Sequence, residues 1–451
     1  MNEGDEQMNE NKELMNELEQ ALKNINERKL GIDINPVIQV VSDDNVIFRY
    51  ENIGLRMELL EVSVDSKRVP SAEIVVQASK QRWPNLMRET LYRDRVNLVS
   101  NRSKSSFVKT LCAALPPLTE IWRDIVENIT EETLKIYREG NEIMLIGSIE
   151  DDNLPSYQVF PLIRADGINI LFGAGAQGKS FLATFICMLV QGGVDHAGLS
   201  VEQGNVLYLD WEDNWRTVNK RIKALRKGNG ESLPDIKHIE MAGKTIDTEL
   251  ADINRKIEAE EISLVVIDSF GVAAGGNQNE GDYVKTIMNK INKLKASVLI
   301  IDHPTKMDGD TPTGSSYKGT SARNVWKMQK SQELGANIVD VGVYHTKANS
   351  SKLFQPIGLR IEFINDLYDQ IDKVNITSIE VTDNEVLTES LPVHERLENL
   401  LKEGKKTVLQ LAQGTNTNIN VIRTELSKRG NKFIRTEKNT YALNPRYYGK
   451  S

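Results

Sequence analysis

The sequence predicts an α/β protein centred on a parallel sheet. A smaller α+β domain precedes it, and a group of short helices with a hairpin follows it. Three observations carry this reading. Between about 160 and 388, apolar β-rich runs alternate with helical stretches, the pattern of strands covered on both faces. Before residue 150, short runs alternate apolar and polar residues at the period of a half-buried sheet. After residue 388 the spacing changes to three short helical patterns and two strands around a charged turn. At 451 residues the chain is too long for one ordinary core.

Taken in order, residues 6–28 space Leu14, Leu18, Leu22 and Ile25 at helical intervals, which predicts an amphipathic helix in a segment 1–32. VIQVVS, VIFRYE, RMELLEVSV and AEIVVQ predict strands of a domain spanning 33–150, closed by the helical EIWRDIVENITEETLKIYREG. DDNLPSYQVFP reads as a linker. In the domain at 151–388 the candidate strands are INILFG, NVLYLD, SLVVID, SVLIID, IVDVGVYH and IGLRIEF. SFLATFICMLVQG, NWRTVNKRIKALRKG and DYVKTIMNKINKL supply helices between the early ones. Residues 389–451, with HERLENLLKEG, TVLQLAQGT and NINVIRTELSKRG before NKFIRTEKNTYALN, predict a winged-helix-like domain.

Composition narrows the class. Two cysteines, Cys112 and Cys187, imply no disulfide framework and fit a reducing, cytoplasmic setting. There is no apolar run of eighteen residues, so no membrane partner is expected, and the acidic N-terminus excludes a secretory signal. The net charge of −8 is unevenly spread. Residues 78–110 carry eight Lys/Arg against two Asp/Glu, and residues 402–451 eleven against three. Two basic regions on an acidic chain are footprints for a polyanion or solvated faces.

The chemistry begins at GAGAQGKS, residues 173–180, which fits G-x-x-x-x-G-K-[ST] between an apolar strand and an apolar helix. Gly173, Gly175 and Gly178 let the backbone aim N–H groups at phosphate oxygens, with Ala174, Ala176, Gln177 and Phe181 completing the lining. The helix start adds its positive dipole end, Lys179 reaches the β- and γ-phosphates, and Ser180 binds Mg²⁺. Asp268 ends the apolar strand SLVVID, where a carboxylate is costly without a metal or partner. Asp210, Glu212 and Asp213 follow the second strand, and Glu212 is the candidate to orient or deprotonate water. The alternative is that these acids cap the next helix, a role that suits Asp213.

The set GAGAQGKS, YLDWED, VVIDS, LIIDHPTK, TGSSYKGTSARNVW and YHTKAN resembles the RecA-fold P-loop ATPases. The branch it resembles holds the RepA-type helicases of plasmids, phages and mobile elements, with DnaB-like helicases more distant. The resemblance covers about 160–365. It implies an ATP- and Mg²⁺-dependent ATPase with Lys179 and Ser180 in the Walker A loop and Asp268 as the Walker B aspartate. It implies Glu212 as the catalytic glutamate, His303 as a γ-phosphate sensor, and Lys347 or Arg323 as the residue offered to a neighbouring subunit's nucleotide. It further implies self-association into a ring, a hexamer, around single-stranded DNA, with a loading or replication partner on a flanking domain. Loops 271–282 and 306–319 would face the channel, with Lys306 and Lys318 able to touch a strand. A recombination mediator without unwinding, and a DNA-binding regulator using ATP as an assembly switch, are the alternatives. For DNA contact the C-terminal segment offers Arg423, Lys428, Arg429, Lys432, Arg435 and Lys438, although many winged helices bind proteins instead. The N-terminal domain offers Arg93, Arg95, Arg102 and Lys104 interleaved with Trp83, Tyr92 and Phe107, which suits single strands and equally a basic surface for a protein partner.

Overall fold

The computed structural model describes residues 35–42, 45–64, 69–139, 156–165, 167–276, 280–305, 311–314, 316–349 and 351–448. The helix expected within 1–32 and Lys306 lie outside them. The chain divides into two compact units, residues 1–150 and 151–451. Among the described residues, no helix is long and apolar enough to cross a membrane.

Among its described residues, the first unit is a five-stranded antiparallel meander with two α-helices. Its strands are β1 (Val37–Ser42), β2 (Asn45–Tyr50), β3 (Leu55–Val64), β4 (Pro70–Ala78) and β5 (Thr90–Asn97), paired in that order. Alternate side chains of β2 to β4, such as Phe48, Met57, Ile74 and Val76, form a core with Phe107 and Leu111 of α1 (Asn101–Ala114) and Trp122, Ile125 and Ile129 of α2 (Trp122–Glu139). This corrects the reading of a stacking surface. Trp83 and Phe107 are buried, Trp83 donating its indole N–H to the Ile53 carbonyl at 2.8 Å and Tyr92 packing on Phe107 at 4.4 Å. Three of the four basic residues nearby are paired: Arg93 with Glu73 at 2.7 Å, Arg95 with Glu61 at 3.6 Å, and Lys104 with Glu127, while Arg102 is exposed.

In the second unit, β6 (Tyr157–Phe160), β7 (Ile163–Arg164) and β9 (Ser200–Val201) form a small sheet, so part of the expected linker is strand. The central sheet runs β11 (Lys237–Glu240), β10 (Asn205–Asp210), β12 (Ile262–Asp268), β13 (Ser297–Asp302), β8 (Ile168–Phe172) and β14 (Asn324–Ser331), all parallel. It then continues through β15 (Ile338–Ala348), β16 (Ile357–Asn365) and β17 (Ile371–Ile379) as an antiparallel meander. The expected parallel sheet therefore accounts for six of these nine strands. One face is covered by α3 (Lys179–Gly192) and α4 (Trp215–Asn229), with Phe185, Leu189, Ile222 and Leu225 against Leu171, Tyr208 and Ile301. The other is covered by α5 (Ile246–Ala259), the turn α6 (Phe270–Ala273) and α7 (Gly281–Ile291), with Ile253 and Ile287 against Ile170, Ile267 and Ile300. Apolar side chains on both faces explain the continuous apolar runs of β8, β12 and β13.

A short helix, α8 (Tyr317–Ser321), precedes β14. After β17 come α9 (Glu385–Thr388), α10 (Val393–Lys402), β18 (Lys406–Thr407), α11 (Val408–Gly414), α12 (Ile419–Lys428), β19 (Phe433–Glu437) and β20 (Thr440–Leu443). The last three strands pair in the order β18-β20-β19 over a core of Leu397, Leu401, Leu411, Ile422, Leu426 and Phe433. A capping box between Thr407 and Gln410 starts α11.

Candidate functional site

The loop from β8 to α3 leaves the sheet at Gly173, where a side chain does not fit: a Cβ would lie 2.6 Å from the Met328 carbonyl oxygen. Ala176 and Gly178 have positive φ, 56° and 88°. Alternation of left- and right-handed residues turns successive N–H groups to one side, the geometry of an anion nest. Gly178 then caps α3, whose apolar residues from Leu182 to Val190 are buried throughout, so this helix is clamped in the core with its N-terminus at the loop. The Lys179 ammonium folds onto the loop's own Gly173 and Ala174 carbonyls at 2.7 and 2.8 Å. Burial lowers its pKa, against the opposing pull of Asp268, Glu212 and Asp302.

Strand ends bring the carboxylates to the same place. Asp268 is buried at the end of β12, level with Asp210 at the end of β10. It accepts from the Tyr208 hydroxyl at 2.6 Å and from Ser180. Burial pushes its pKa up, and those two hydrogen bonds hold it down. Two adjacent hard oxygen donors, the Ser180 hydroxyl and the Asp268 carboxylate, fit Mg²⁺. Asp210 accepts the N–H groups of Glu212 and Asp213 at 2.9 and 2.8 Å, which fixes the turn that presents Glu212. Glu212 accepts from the Ser269 hydroxyl at 2.5 Å, and the His303 imidazole lies 3.8 Å from the same oxygen. Asn214, not Asp213, caps α4.

The cavity between these groups measures about 440 Å³. It is lined by residues 175–180 with Glu212, Asp268 and His303, and by the apolar Phe181, Val339, Ile361 and Phe363. A lining that mixes polar, charged and apolar groups suits a nucleotide.

Three contributions escape motif reading. Arg221 on α4 is only 7% exposed, bonds Asp213 at 2.6 Å and lies 5.0 Å from the Phe181 ring. Its signal was available: Val218, Arg221, Ile222 and Leu225 share one stripe, and a charge on a buried stripe needs a reason. Lys330 on β14 donates to the Ala176 carbonyl at 2.9 Å, and Phe363 on β16 packs edge-on to Phe181 at 5.3 Å. Neither has a local sequence signal, because only long-range strand pairing brings them to the loop: Lys330 on β14 beside β8, and Phe363 on β16 in the antiparallel meander.

The structure does not bring Lys347 and Arg323 to this cavity. Arg323 binds the Ile168 carbonyl through its N–H at 2.7 Å, at the foot of β8, one strand length from the phosphate loop. The Lys347 ammonium donates to the carbonyls of Gly319, Thr320 and Ala322 at 2.6 to 3.0 Å, closing the end of α8. Burial, then the Arg323 charge, lowers its pKa. Lys318, expected on a channel loop, is buried and bonded to Asp302 at 2.8 Å, so it is withdrawn from DNA contact.

Residues 152–309, about a third of the chain, match the family described as AAA domain. Curated proteins returned no match. Among solved structures, a KaiC-like protein from the hyperthermophilic archaeon Pyrococcus horikoshii OT3 aligns over 48% of this chain and 90% of its own, at 14% identity and a TM-score of 0.34. With the loop, carboxylates and cavity described above, the family match makes this region the core of a P-loop ATPase.

Proposed function

We propose that the protein is a RecA-like, DNA-dependent ATPase that assembles into a ring, a hexamer, and works as a helicase on single-stranded DNA. The convergence of Lys179, Ser180, Asp268, Glu212 and His303 on one cavity supports hydrolysis. On ATP binding, Lys179 exchanges the Gly173 and Ala174 carbonyls for β- and γ-phosphate oxygens. Ser180 and Asp268 hold Mg²⁺, which when bound neutralises phosphate charge. Glu212 takes the proton of the attacking water as its oxygen bonds the γ-phosphorus. The bond from that phosphorus to the β,γ-bridging oxygen breaks, and ADP leaves with those electrons. His303 is placed to feel the loss of the γ-phosphate.

Arg323, exposed at the foot of the sheet, is the residue we assign to a neighbour's phosphates, because Lys347 is committed to α8. Supply of that charge in trans would tie turnover to ring assembly. A loading or replication partner would use the N-terminal or C-terminal domain. Exposed Arg423 and Lys428 on α12, with Arg435 and Lys438 on the hairpin, favour a second reading. There the C-terminal elements form a winged helix that binds DNA, and ATP switches assembly of a regulator.

ATP turnover with and without single-stranded DNA separates the two. Stimulation by single strands, abolished in Lys179→Ala and Glu212→Gln, supports the motor and calls for a strand-displacement assay. Turnover indifferent to single strands sinks the motor and leaves the switch.

A further inference from the structure

Lys318 and Asp302 form an ion pair in which each side chain is 1% exposed. Removing two charges from water is expensive, and apolar residues of equal volume often serve a core as well or better. This pair therefore calls for a reason beyond packing, and its neighbours supply one. The Asp302 carboxylate divides its oxygens: Oδ2 accepts from Lys318 at 2.8 Å, and Oδ1 accepts the His303 N–H at 2.9 Å. The Asp302 carbonyl accepts the N–H of Gly173, the first residue of the phosphate loop, at 3.3 Å. The Lys318 ammonium also sits 4.4 Å from the Phe270 ring, two residues beyond Asp268. Lys318 thus lies beneath three phosphate-facing segments at once: the loop, the sensor strand end and the end of β12. Lys347 closes the other end of α8, so the helix that carries Lys318 is held at both ends.

We propose that Lys318 is a positioning residue for hydrolysis, acting through Asp302 to set His303 against Glu212. The proposal rests on the reading of this cavity as an ATP-hydrolysing site. Burial pushes the Asp302 carboxyl up and the Lys318 amine down, and each charge opposes the other's shift. The pair therefore depends on its own geometry, and displacement of one member displaces the backbone the other holds.

The test uses the full chain and compares Lys318→Met with the double variant Asp302→Asn/Lys318→Met. The single change strands a buried carboxylate and lowers Tm by roughly 10 °C. The double change removes both charges, keeps the volumes and keeps an acceptor for the His303 N–H, so Tm returns to within a few degrees. We expect this double variant to bind a fluorescent ATP analogue with a Kd within about threefold of wild type. Its kcat falls about tenfold or more, because a small misplacement in an active site is costly in rate. His303→Ala lowers kcat in the wild type and adds little in the double variant, because the two act through one group.

Wild-type kcat in the double variant overturns the proposal, and so does a full additional loss on His303→Ala. Should the double variant fall short in Tm, Lys318→Arg keeps the charge pair and displaces it, and unchanged kcat there overturns the proposal equally. Absence of ATP turnover in the wild type overturns the ATPase reading itself, and this proposal with it. Turnover that survives Glu212→Gln overturns the proposal as stated, because His303 is then set against no catalytic carboxylate, and it leaves the ATPase reading standing.

Discussion

Gly178 has no side chain to lose, yet its substitution by alanine is expected to disable the phosphate loop. Its φ is 88°, and a Cβ there would approach the Ile361 side chain to 3.3 Å. The left-handed conformation costs an L-residue about 1–2 kcal/mol, so the fold survives while the nest relaxes to another shape. Gly178→Ala should weaken ATP binding about tenfold or more with Tm lowered by only a few degrees, and wild-type affinity in a titration would contradict the nest. Glu212→Gln should separate binding from chemistry: the analogue binds, and kcat drops by about 10² or more. At this scale the sequence was most legible where chemistry demands a fixed spacing. GAGAQGKS and Asp268 stand out because few other folds tolerate those residues there. Arg221 was harder to see, since its reason is a contact with Asp213 and Phe181 rather than a motif. The aromatic residues of the first unit misled for the opposite reason. Trp83 and Phe107 alternate with charges in the chain, and folding turns the two sets to opposite sides.

The elements show where periodicity informs and where it is silent. β8 and β12 announce themselves as apolar runs because helices cover both faces of the sheet. Direction is not written in such a run, so the turn from parallel pairing at β14 to antiparallel pairing at β15 to β17 had no local mark. β5 carries Arg93, Asp94 and Arg95 in its middle, exposed at the sheet's edge, and charge hides a strand. The meander offers a test of its own. Asp340 on β15 faces Arg360 on β16 in register, and the guanidinium binds it at 2.7 and 3.0 Å. The Arg360 hydrogen bonds, ahead of a smaller opposing effect of burial, hold the Asp340 carboxyl below the usual carboxylate range. A carboxyl whose pKa is lower folded than unfolded adds stability above the unfolded value, about 3.9, and loses it as pH falls through the folded value. Arg360 is half exposed, so solvent screening keeps the pair near 1 kcal/mol. Asp340→Asn should therefore lower Tm by a few degrees at pH 7, with the gap closing toward pH 3 in a melt series. A gap independent of pH would show that the asparagine harms packing and that the charge contributes nothing.

For the whole molecule the question is how a chain of net charge −8 would hold a polyanion. Affinity for DNA follows local charge, because each phosphate contact releases counterions and distant acidic surface is screened within about a Debye length. Much of the basic charge legible in the sequence is already spent inside the molecule. Arg429 pairs with Glu425, Lys432 with Glu398 at 3.3 Å, and Lys405 with Glu437 at 2.8 Å. Exposed Arg423, Lys428, Arg435 and Lys438 remain on α12 and the hairpin, with Lys428 only loosely near Glu425 at 3.9 Å. If DNA binds there, replacing these four by alanine should weaken binding and flatten its salt dependence. The slope of log K against log salt should fall in magnitude by up to about 3 on single strands and about 3.5 on duplex, from about 0.7 and 0.9 per lost contact. Arg429→Ala should barely change the slope, since that charge is engaged with Glu425. The measurement is a fluorescence-anisotropy titration of single-stranded and duplex probes across a salt series, with ATP turnover followed in parallel. An unchanged slope with intact binding would move the DNA contact off the C-terminal elements and onto the ATPase core. A flattened slope with turnover still stimulated by single strands would divide the roles: the C-terminal elements would hold DNA, and the core would answer to it separately.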